Sequence, residues 1–583
     1  MDKEIPQKAP KEIGDLLLEQ GTLTEKQLEQ VRRRQRRLDI PQHRAVLELN
    51  YASEESTYRA LAALNHLDFV EPENLRLNTQ LLEVVPVKLV FHYHVVPLAL
   101  DGEVLSVAFS EPPKQIEQGN LRLLLGKRLK VVLATPSSIH AAIKNHFGLG
   151  AETIQRLRAE RGWSELDQEI VFDVKPAEDD SAVDSTIADF VDQILMEALR
   201  LQATDIHLEP YPSSIRLKYR IDGLLQNIPV PAGLRQLHGA IVSRLKIMAS
   251  LNIAEKRLPH DGRIAMKTGT EEYDLRVSIV PTKHGEAACL RILGRQSLFM
   301  DLGQLGMEPE QETIFADLTQ LPQGMVLLTG PTGSGKTTTL YAALAQANDG
   351  VRKIITIEDP IEYQLEGTTQ IQARDDIGLT FSIGLRSILR HDPDIVLIGE
   401  IRDVETAEIA VRAAQTGHLV FSTLHTNDSI SAVTRLLEMR IEPYLVSSSL
   451  VCSIAQRLVR RICRHCLGED LVIPDDIREE MAKALKIPPA EVRAFKGGGC
   501  LECNLQGFRG RLAIYEFFVI TEELADLISP GVKTGTLRRT ARKYGWRSLR
   551  EQGWAKVQNA LIPVEEQQRM TRQIGAHVLA QVR

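Results

Sequence analysis

Residues 330–337 read Gly330-Pro331-Thr332-Gly333-Ser334-Gly335-Lys336-Thr337 and match the pattern G-x-x-x-x-G-K-[ST] at every fixed position. The apolar residues 325–328 before this stretch predict a buried strand, and residues 338–344 after it predict a helix. In that context the glycines let backbone N–H groups surround phosphate oxygens, and the helix N-terminus adds partial positive charge. The sequence therefore predicts a phosphate-binding P-loop.

The P-loop assigns ATP binding to residues 330–338, which include Thr338 at the start of the predicted helix. Lys336 can reach the β- and γ-phosphates, and the Thr337 hydroxyl can hold Mg²⁺. Apolar strands alternate with helices from about residue 300 to 460, which predicts an α/β fold built on a parallel sheet.

The composition excludes several classes of protein. The 583 residues are 43% hydrophobic and 25% charged, as in globular proteins, and are too many for one core. The net charge of −7 argues against bulk nucleic-acid binding. No apolar run approaches the roughly 20 residues that span a bilayer, and the N-terminus has no signal-peptide core. We expect a cytoplasmic protein that reaches a membrane through a partner or its own surface.

The order of apolar patterns predicts several domains. We expect a helical module at 1–65, a small α+β domain at 66–147, a linker at 148–184, a domain of short strands at 185–296, and the ATPase domain at 297–583. Residues 105–109 and 130–134 of the second domain are strand-like.

Two acidic clusters follow predicted strands of the ATPase domain. Residues 354–362 end in Glu358, Asp359 and Glu362, one strand–helix unit after the P-loop. A carboxylate there can orient and deprotonate the attacking water. Residues 394–400 resemble a Walker B strand, but Gly399 occupies the position where that pattern has Asp. We therefore expect Glu400 to bind Mg²⁺ through a water molecule.

A third strand, residues 419–424, lies between His418 and His425. A lone histidine is usually structural. Next to a P-loop, however, either His425 or His418 could lie near the γ-phosphate and sense its hydrolysis.

Together these motifs resemble the ATPases of type II secretion and type IV pilus assembly. The resemblance rests on the P-loop, EDPIE, LIGEIRD and the TGH to STLHTND segment in that order, and it continues upstream in residues 203–210, 219–223 and 253–263. It implies a RecA-like ATPase core, preceded by a PAS-like domain at residues 185–296, in a homo-hexamer with ATP between domains. It also implies that Glu362 activates water and that Glu400 is the Walker B acid.

The resemblance extends to the arginines and to the partners. Arg257, Arg263 and Arg276 match segments of the domain that supplies arginine to the phosphates, and we expect at least one of them to contact phosphate. The alternative is that they form salt bridges within their own domain. The N-terminal domains are expected to bind an inner-membrane platform protein and the cytoplasmic domain of a membrane assembly protein, which would recruit the chain to the inner membrane.

Four cysteines form two CxxC pairs, Cys463 with Cys466 and Cys500 with Cys503. Four thiolates in two such pairs suit tetrahedral Zn²⁺ in a closed, structural site. The long gap between the pairs requires an inserted excursion, and residues 470–495 are predicted to be mostly helical. We therefore expect a zinc subdomain at 461–515.

The N-terminal residues resemble a motif that some family members use to bind cyclic di-GMP. The matching positions are Gly14, Leu17, Gly21, Leu23, Leu28 and Gln35. Glu12 stands where the motif has Arg, and a second copy has His43 and Asn50 in place of its glycines. These departures argue against cyclic di-GMP binding and favour protein docking. The basic run at residues 32–37 is either a solvated helix face or a contact for anionic lipid or an acidic partner.

The sequence therefore predicts a hexameric Mg²⁺-dependent ATPase that powers secretion or pilus assembly. One alternative is a nucleotide-gated scaffold on the membrane platform, which the intact Lys336, Glu362 and Glu400 disfavour. A second is a conjugation-type DNA-transport ATPase, which the acidic balance and the cysteine insertion disfavour.

Overall fold

A computed structural model describes residues 12–38, 40–70, 75, 77–151, 181–231, 233–268, 271–294, 302–504 and 506–571. The chain divides into two compact units, one comprising Met1–Met266 with Asp274–Leu293 and the other comprising Lys267–Tyr273 with Gly294–Arg583. Within those described ranges, no helix has both the length and the apolarity needed to cross a membrane. The finer division into five segments stays a prediction.

The first unit begins with four helices followed by a small α/β layer. Its elements are α1 (Ile13–Glu19), α2 (Glu25–Leu38), α3 (Gln42–Glu48), α4 (Glu54–Leu64), β1 (Asp68–Phe69), α5 (Val87–Tyr93), β2 (Val95–Asp101), β3 (Val104–Phe109), α6 (Gln115–Leu125), β4 (Arg128–Leu133) and α7 (Pro136–Phe147). A short 3-10 turn, Thr79–Glu83, precedes α5. The sheet order is β1-β4-β3-β2. The helices and the sheet share one hydrophobic core, in which Leu17 and Val31 are packed together with Leu105 and Leu133.

The rest of the first unit is a six-stranded sheet with two helices. Its elements are α8 (Ser181–Arg200), β5 (Ala203–Pro210), β6 (Ile215–Ile221), β7 (Leu224–Ile228), α9 (Leu234–Met248), β8 (His260–Thr268), β9 (Glu271–Thr282) and β10 (Gly285–Gly294), in the order β7-β6-β5-β10-β9-β8. Apolar and polar residues alternate along β6, so one face of the sheet is buried. The buried Tyr219 donates a hydrogen bond of 2.8 Å to the Ile194 carbonyl of α8.

Of the predicted linker, residues 152–180 lie outside the described residues. Its first residues are packed rather than free, because the Leu149 amide donates to the Pro229 carbonyl at 2.8 Å. The ion pair between Lys144 of α7 and Glu197 of α8 is also largely buried. Both contacts join the small α/β layer to the six-stranded sheet within the first unit.

The second unit is built on a seven-stranded sheet. Its elements before the cysteines are α10 (Pro309–Thr319), β11 (Gly324–Thr329), α11 (Lys336–Ala347), β12 (Ile354–Glu358), β13 (Thr368–Gln372), α12 (Phe381–Ile388), β14 (Ile395–Ile398), α13 (Val404–Gln415), β15 (Leu419–Leu424), α14 (Ser431–Glu438), α15 (Pro443–Ser449) and β16 (Leu450–Ile462), with a 3-10 turn at Asp375–Ile377. The sheet order is β13-β12-β14-β15-β11-β16-β19, with β19 (Phe508–Val519) as the one antiparallel edge strand of this sheet. Strands β11, β12, β14 and β15 are buried along their whole length, as parallel strands covered on both faces must be.

An excursion separates β16 from β19. It contains β17 (Leu467–Glu469), α16 (Asp475–Leu485) and β18 (Phe495–Gly497), with 3-10 turns at Arg464–Cys466, Pro489–Glu491 and Leu501–Cys503. The prediction of a mostly helical excursion is correct for α16, but it missed the pairing of β17 with β18. The chain then forms α17 (Glu522–Leu527), α18 (Thr534–Lys543), α19 (Leu549–Gln558) and α20 (Val564–Thr571). The buried Met481 of α16 and Trp554 of α19 belong to one core, so the excursion is packed on the C-terminal helices.

Candidate nucleotide site and cysteine cluster

The P-loop connects β11 to α11, as its sequence predicts. Gly330 has φ +149°, and a Cβ there would lie 2.6 Å from the Gln456 carbonyl oxygen. Gly335 has φ +85° and is the N-cap of α11. Only glycine fits these two positions without strain. Because glycine has no side chain, a phosphate can approach the backbone N–H groups of the loop. Thr337 and Thr338 are exposed at the start of α11.

The Lys336 side chain is buried within the P-loop. Its ammonium donates hydrogen bonds to the carbonyl oxygens of Gly330 at 2.8 Å and Pro331 at 3.2 Å. Burial lowers the pKa of Lys336, the Glu400 carboxylate partly opposes this, and Arg457 adds to the lowering. Lys336 and Glu400 are therefore close enough to interact electrostatically.

Parallel pairing brings the predicted motifs to one edge of the sheet. Thr329 of β11 pairs with Leu424 of β15, and Ile398 of β14 pairs with Ser422. The carboxyl ends of three neighbouring strands are therefore followed by the P-loop, Glu400 and His425. Ligands of open α/β sheets bind at this edge.

Glu400 lies at the centre of a small charged group. Its carboxylate is paired with Arg402 and lies 3.1 Å from His425 Nε2. Burial would raise the pKa of Glu400, but the hydrogen bonds from Arg402 and His425 outweigh it, and the net pKa is lowered. A carboxylate kept charged in this way suits a role beside Mg²⁺.

Gly399 occupies the position where a Walker B aspartate is expected. Its amide donates to the Ile357 carbonyl at 2.8 Å. A Cβ there would lie 3.3 Å from both that carbonyl oxygen and Glu358 Cα. A side chain at this position would require β14 and β12 to separate by a few tenths of an ångström, and Glu400 is the first acid after the strand.

The two acids of the EDPIE segment differ in their surroundings. Glu358 is 3% exposed, and its carboxylate accepts hydrogen bonds from the Tyr341 hydroxyl, Thr356 Oγ1 at 2.6 Å and Gln370 Nε2 at 3.2 Å. It joins α11 to β12 and β13, which is a structural task. Glu362 is half-buried in the segment after β12, at the edge that carries the P-loop.

The two histidines lie at opposite ends of β15. His425 follows its carboxyl end, beside Glu400. His418 precedes its amino end, where its carbonyl accepts from the Gly324 amide at 3.1 Å and its Nδ1 lies 3.0 Å from the Ala413 carbonyl. The prediction that His418 could lie near the γ-phosphate is therefore wrong, because β11 and β15 are parallel and the P-loop is at the other end of the sheet.

The three candidate arginines all belong to the first unit. Arg257 is paired with Glu255, with Nε to Oε1 at 3.0 Å and Nη2 to Oε2 at 2.7 Å. Arg263 and Arg276 line a pocket of about 510 Å³, together with Arg291. The structure thus brings two of the three arginines together and leaves Arg257 in a local ion pair. Their contact with phosphate stays a prediction.

The four cysteines form one cluster, in which all four sulfur atoms lie within 4.8 Å of one another. Cys463 and Cys500 are 3.8 Å apart, Cys466 and Cys503 are 3.8 Å apart, and Cys500 and Cys503 are 3.7 Å apart. Sulfur atoms bound tetrahedrally to one Zn²⁺ at about 2.3 Å would be separated by about 3.8 Å. The donor set and its spacing therefore fit a zinc ion.

Backbone amides support these sulfur atoms. The Gly499 amide lies 3.3 Å from Cys466 Sγ, and the Gly507 amide lies 3.2 Å from Cys503 Sγ. N–H groups aimed at sulfur stabilise thiolate charge, as the second shell of a metal site does.

The cyclic di-GMP-like positions bond to one another. The Gly14 amide donates to Gln42 Oε1 at 2.6 Å, and Gln42 Nε2 donates to Glu12 at 2.8 Å and Gln35 at 3.2 Å. Arg32 is paired with Asp15 at 2.7 Å. The carboxamide of Gln42 thus joins three positions of the motif to one another.

Comparison with known proteins agrees with the sequence motifs. The model of the type II/IV secretion system protein family matches residues 180–569, and the MshEN domain model matches residues 65–153. The type IV pilus assembly ATPase PilB of Myxococcus xanthus is 38% identical over 569 residues, which cover 95% of this chain and 98% of that protein. The type II secretion system protein HxcR of Pseudomonas aeruginosa is 47% identical over 382 residues, which cover 66% of this chain and 76% of that protein.

The type II secretion system ATPase E of Vibrio cholerae is 42% identical over 395 residues, which cover 68% of this chain and 77% of that protein. This chain belongs to the type II/IV secretion system protein family. The family resemblance predicted from the motifs is confirmed, as is the α/β fold class with its RecA-like P-loop core.

The sequence analysis did not identify two arginines at the edge of the sheet that carries the P-loop. Arg402 is the ion-pair partner of Glu400, and the GEIRD motif that contains both residues could have indicated it. Arg457 lies beside Gly330 although it is more than 100 residues further along the chain. Nothing local in its arginine-rich strand distinguishes it from Arg460 or Arg461.

Proposed function

We propose that this chain hydrolyses ATP with Mg²⁺ and that the hydrolysis powers type II protein secretion or type IV pilus assembly. The observation that carries the proposal is the meeting of Lys336, Glu400 and His425 at one sheet edge. Relatives that match most of the chain are named as a pilus assembly ATPase and as type II secretion proteins, which supports both pathways.

In this proposal the residues of the second unit divide the work of phosphoryl transfer. The P-loop amides and Lys336 bind the β- and γ-phosphates, and Thr337 and Glu400 hold Mg²⁺. When bound, Mg²⁺ would neutralise negative charge on the oxygens of the β- and γ-phosphates. Glu362 accepts the proton of the attacking water. His425 responds to the loss of the γ-phosphate through its contact with Glu400.

The first unit supplies a cation and the docking surfaces. Arg263 or Arg276, from their shared pocket, or Arg257 would stabilise charge on the transferring phosphoryl group. We propose a homo-hexamer that is recruited to the inner membrane by its N-terminal residues, which contact a platform protein and a membrane assembly protein. Glu12 at the motif's Arg position, with His43 and Asn50 at the glycine positions of its second copy, supports protein docking in preference to cyclic di-GMP.

We also propose that the cysteine cluster binds one Zn²⁺ with a structural role. All four tetrahedral positions would be filled by protein sulfur atoms, which leaves none for a substrate. The ion would close the loop from β16 to β19 and hold the excursion in place.

Steady-state phosphate release by the purified chain tests the proposal. We expect ATP turnover that stops when Mg²⁺ is chelated and that rises when the cytoplasmic domain of a platform protein is added. Binding of ATP without turnover, in both the absence and the presence of that domain, would instead identify a nucleotide-gated scaffold. Release stimulated only by DNA would favour a DNA-transport ATPase.

A further inference from the structure

The histidine loop, defined here as residues 425–429, follows β15 and carries His425 to Glu400. The two strands on the other side of the P-loop strand both contact this loop, as do Arg538 and Trp546 near the C-terminal helices. In the sheet, β16 is the neighbour of β11, and β19 is the neighbour of β16. Each of these strands contributes one charged side chain to the loop.

Arg457 is the contribution of β16. Ala455 pairs with Thr329, so Arg457 lies just beyond the last paired residue of the P-loop strand. Its Nη2 donates to the Asn427 carbonyl at 2.6 Å, and its Nη1 donates to the Gln456 carbonyl at 3.0 Å. A Cβ on Gly330 would lie 3.0 Å from Nη1. One guanidinium therefore contacts both the histidine loop and the start of the P-loop.

The bonding of Arg457 is unusual for a half-buried cation. Both its hydrogen-bond acceptors are backbone carbonyls, and among the described residues no carboxylate lies within ion-pairing distance of it. Burial lowers the pKa of Arg457, while Glu516 and Asp428 raise it from a greater distance. No directly paired carboxylate therefore offsets the cost of burying this cation, and its two carbonyl acceptors fix where the guanidinium lies.

Glu516 is the contribution of β19, where it pairs with Ala455. It is 2% exposed, and its Oε1 accepts from the Ser429 amide at 2.9 Å and from Ser429 Oγ at 2.6 Å. Its Oε2 accepts from the amide of Leu549, the first residue of α19, at 2.8 Å. One buried carboxylate therefore joins the histidine loop to the C-terminal helices.

We propose that Arg457 and Glu516 are positioning residues that hold the histidine loop from its two sides, and so keep His425 beside Glu400 at the P-loop edge. Arg457 holds Asn427, and Glu516 holds Ser429. The inference rests on the proposed ATPase function. Because Glu516 bonds to both Leu549 and Ser429, a movement of α19 would also displace the histidine loop. In this proposal the packing of the C-terminal helices therefore influences hydrolysis.

Turnover of the full-length chain tests the role of Arg457. We expect Arg457→Gln to lower kcat for ATP at least tenfold while KM and the thermal midpoint stay near the wild-type values, because misplacing a reacting group by about 1 Å costs up to 100-fold. Arg457→Lys should recover part of kcat, since lysine can still donate to Asn427. Arg461→Gln, in the same strand, is the control and should match the wild type.

Hydrogen exchange measures the anchoring directly. Glu516→Gln places an N–H group opposite either the Ser429 or the Leu549 amide, so one end of the carboxylate bridge is lost. We expect a peptide covering residues 425–431 to exchange at least fivefold faster in Glu516→Gln and in Arg457→Gln, with strands β11 and β14 unchanged. Glu523→Gln, at an exposed carboxylate of α17 that bonds to Lys543 and Tyr544, is the matched control.

Two results would overturn the proposal. One is an Arg457→Gln protein with wild-type kcat and wild-type exchange at residues 425–431. The other is faster exchange throughout the second unit, which would reduce both residues to general stabilisers of the fold. A wild-type chain without ATP turnover would defeat the proposed function instead, and the exchange experiment would still decide whether the loop is anchored by these residues.

Discussion

His425 Nε2 lies 3.1 Å from Glu400 Oε2, although the two residues are 25 positions apart in the chain. The contact exists because β14 and β15 are parallel neighbours. Their register places the residues that follow the two strands side by side at the same edge of the sheet. Arg402 and His425 hold the pKa of Glu400 below its usual range despite burial, which alone would raise it. The histidine therefore has a charged partner at the edge of the sheet that carries the P-loop.

Replacement of Lys336 by alanine should abolish turnover and preserve the fold. The ammonium is the one P-loop cation, and its hydrogen bonds go to loop carbonyls rather than to a core carboxylate. We expect ATP hydrolysis to fall about a hundredfold or more, with a thermal midpoint near the wild-type value. The exposed Lys483→Ala serves as the control. Near-normal phosphate release by the Lys336 variant would refute the assignment.

The two acids after β12 should respond differently to the same change. Glu362→Gln should retain ATP binding and lose hydrolysis, because only the proton acceptor is removed. Glu358→Gln should mainly lower stability, by roughly 1–3 kcal/mol, because a buried acceptor of three hydrogen bonds is altered. Nucleotide binding, turnover and thermal midpoint would be compared with those of Glu366→Gln. Full hydrolysis by the Glu362 variant would shift the role of base to Glu400.

Local sequence patterns were enough to predict which strands and side chains form the edge of the sheet that carries the P-loop. Continuous apolar runs predicted β11, β12, β14 and β15, and acids or histidines at their ends predicted which side chains would meet. Sequence could not show that Gly399 packs against Glu358 Cα, since that contact depends on the distance between two strands. It also could not separate His418 from His425, because the direction of β15 relative to β11 decides which end is near the P-loop.

Long-range pairing explains the remaining gaps. The CxxC spacing indicated a metal site, but β17 and β18 are too short, at three residues each, to give a pattern of their own. Arg457 and Glu516 reach the histidine loop only because β16 pairs with both β11 and β19. No spacing within one segment encodes such a contact.

A buried carboxylate near the C-terminus should give the second unit a pH-dependent stability. Burial would raise the pKa of Glu566, but hydrogen bonds from Arg569 and Arg460 outweigh it and lower the pKa from 4.5 to about 2. A depressed pKa stabilises the fold fully above the unfolded value, near 4.5, and progressively less as the pH falls toward 2.

We therefore expect Glu566→Gln to lower the stability by on the order of 3 kcal/mol at pH 7. The gap between the thermal midpoints of wild type and variant should stay constant from pH 7 to about pH 5 and narrow below about pH 4.5. A gap that widens as the solution is acidified would contradict the assigned ion pairs with Arg460 and Arg569.

Metal content tests the cysteine cluster. Elemental analysis should find about one Zn²⁺ per chain, since four thiolates complete one tetrahedral site. Replacing Cys463 and Cys466 with serine should release the ion and speed proteolysis within residues 461–515, because the metal closes that loop. The Cys289→Ser variant is the control: Cys289 lies outside the cluster, so this protein should still contain about one Zn²⁺ per chain. A metal-free wild-type chain of equal stability would exclude the site.

The last prediction concerns activation by assembly. Arg257, Arg263 and Arg276 belong to the first unit, whereas Lys336 and Glu400 belong to the second. If hydrolysis needs groups from both units, it requires a fixed orientation of one unit against the other. A hexamer would impose such an orientation, and a monomer would hold it only part of the time.

Specific activity should therefore rise with protein concentration, in step with the hexamer fraction measured by light scattering. A partner that binds the N-terminal residues should raise it further by favouring the hexamer. At least one of Arg257→Gln, Arg263→Gln and Arg276→Gln should lower the activity of the assembled hexamer, because we expect at least one of these arginines to stabilise charge on the transferring phosphoryl group. Arg216→Gln, at a surface position of β6, is the matched control. A monomer as active per chain as the hexamer would defeat this mechanism, because the reaction would then need no fixed orientation of the two units.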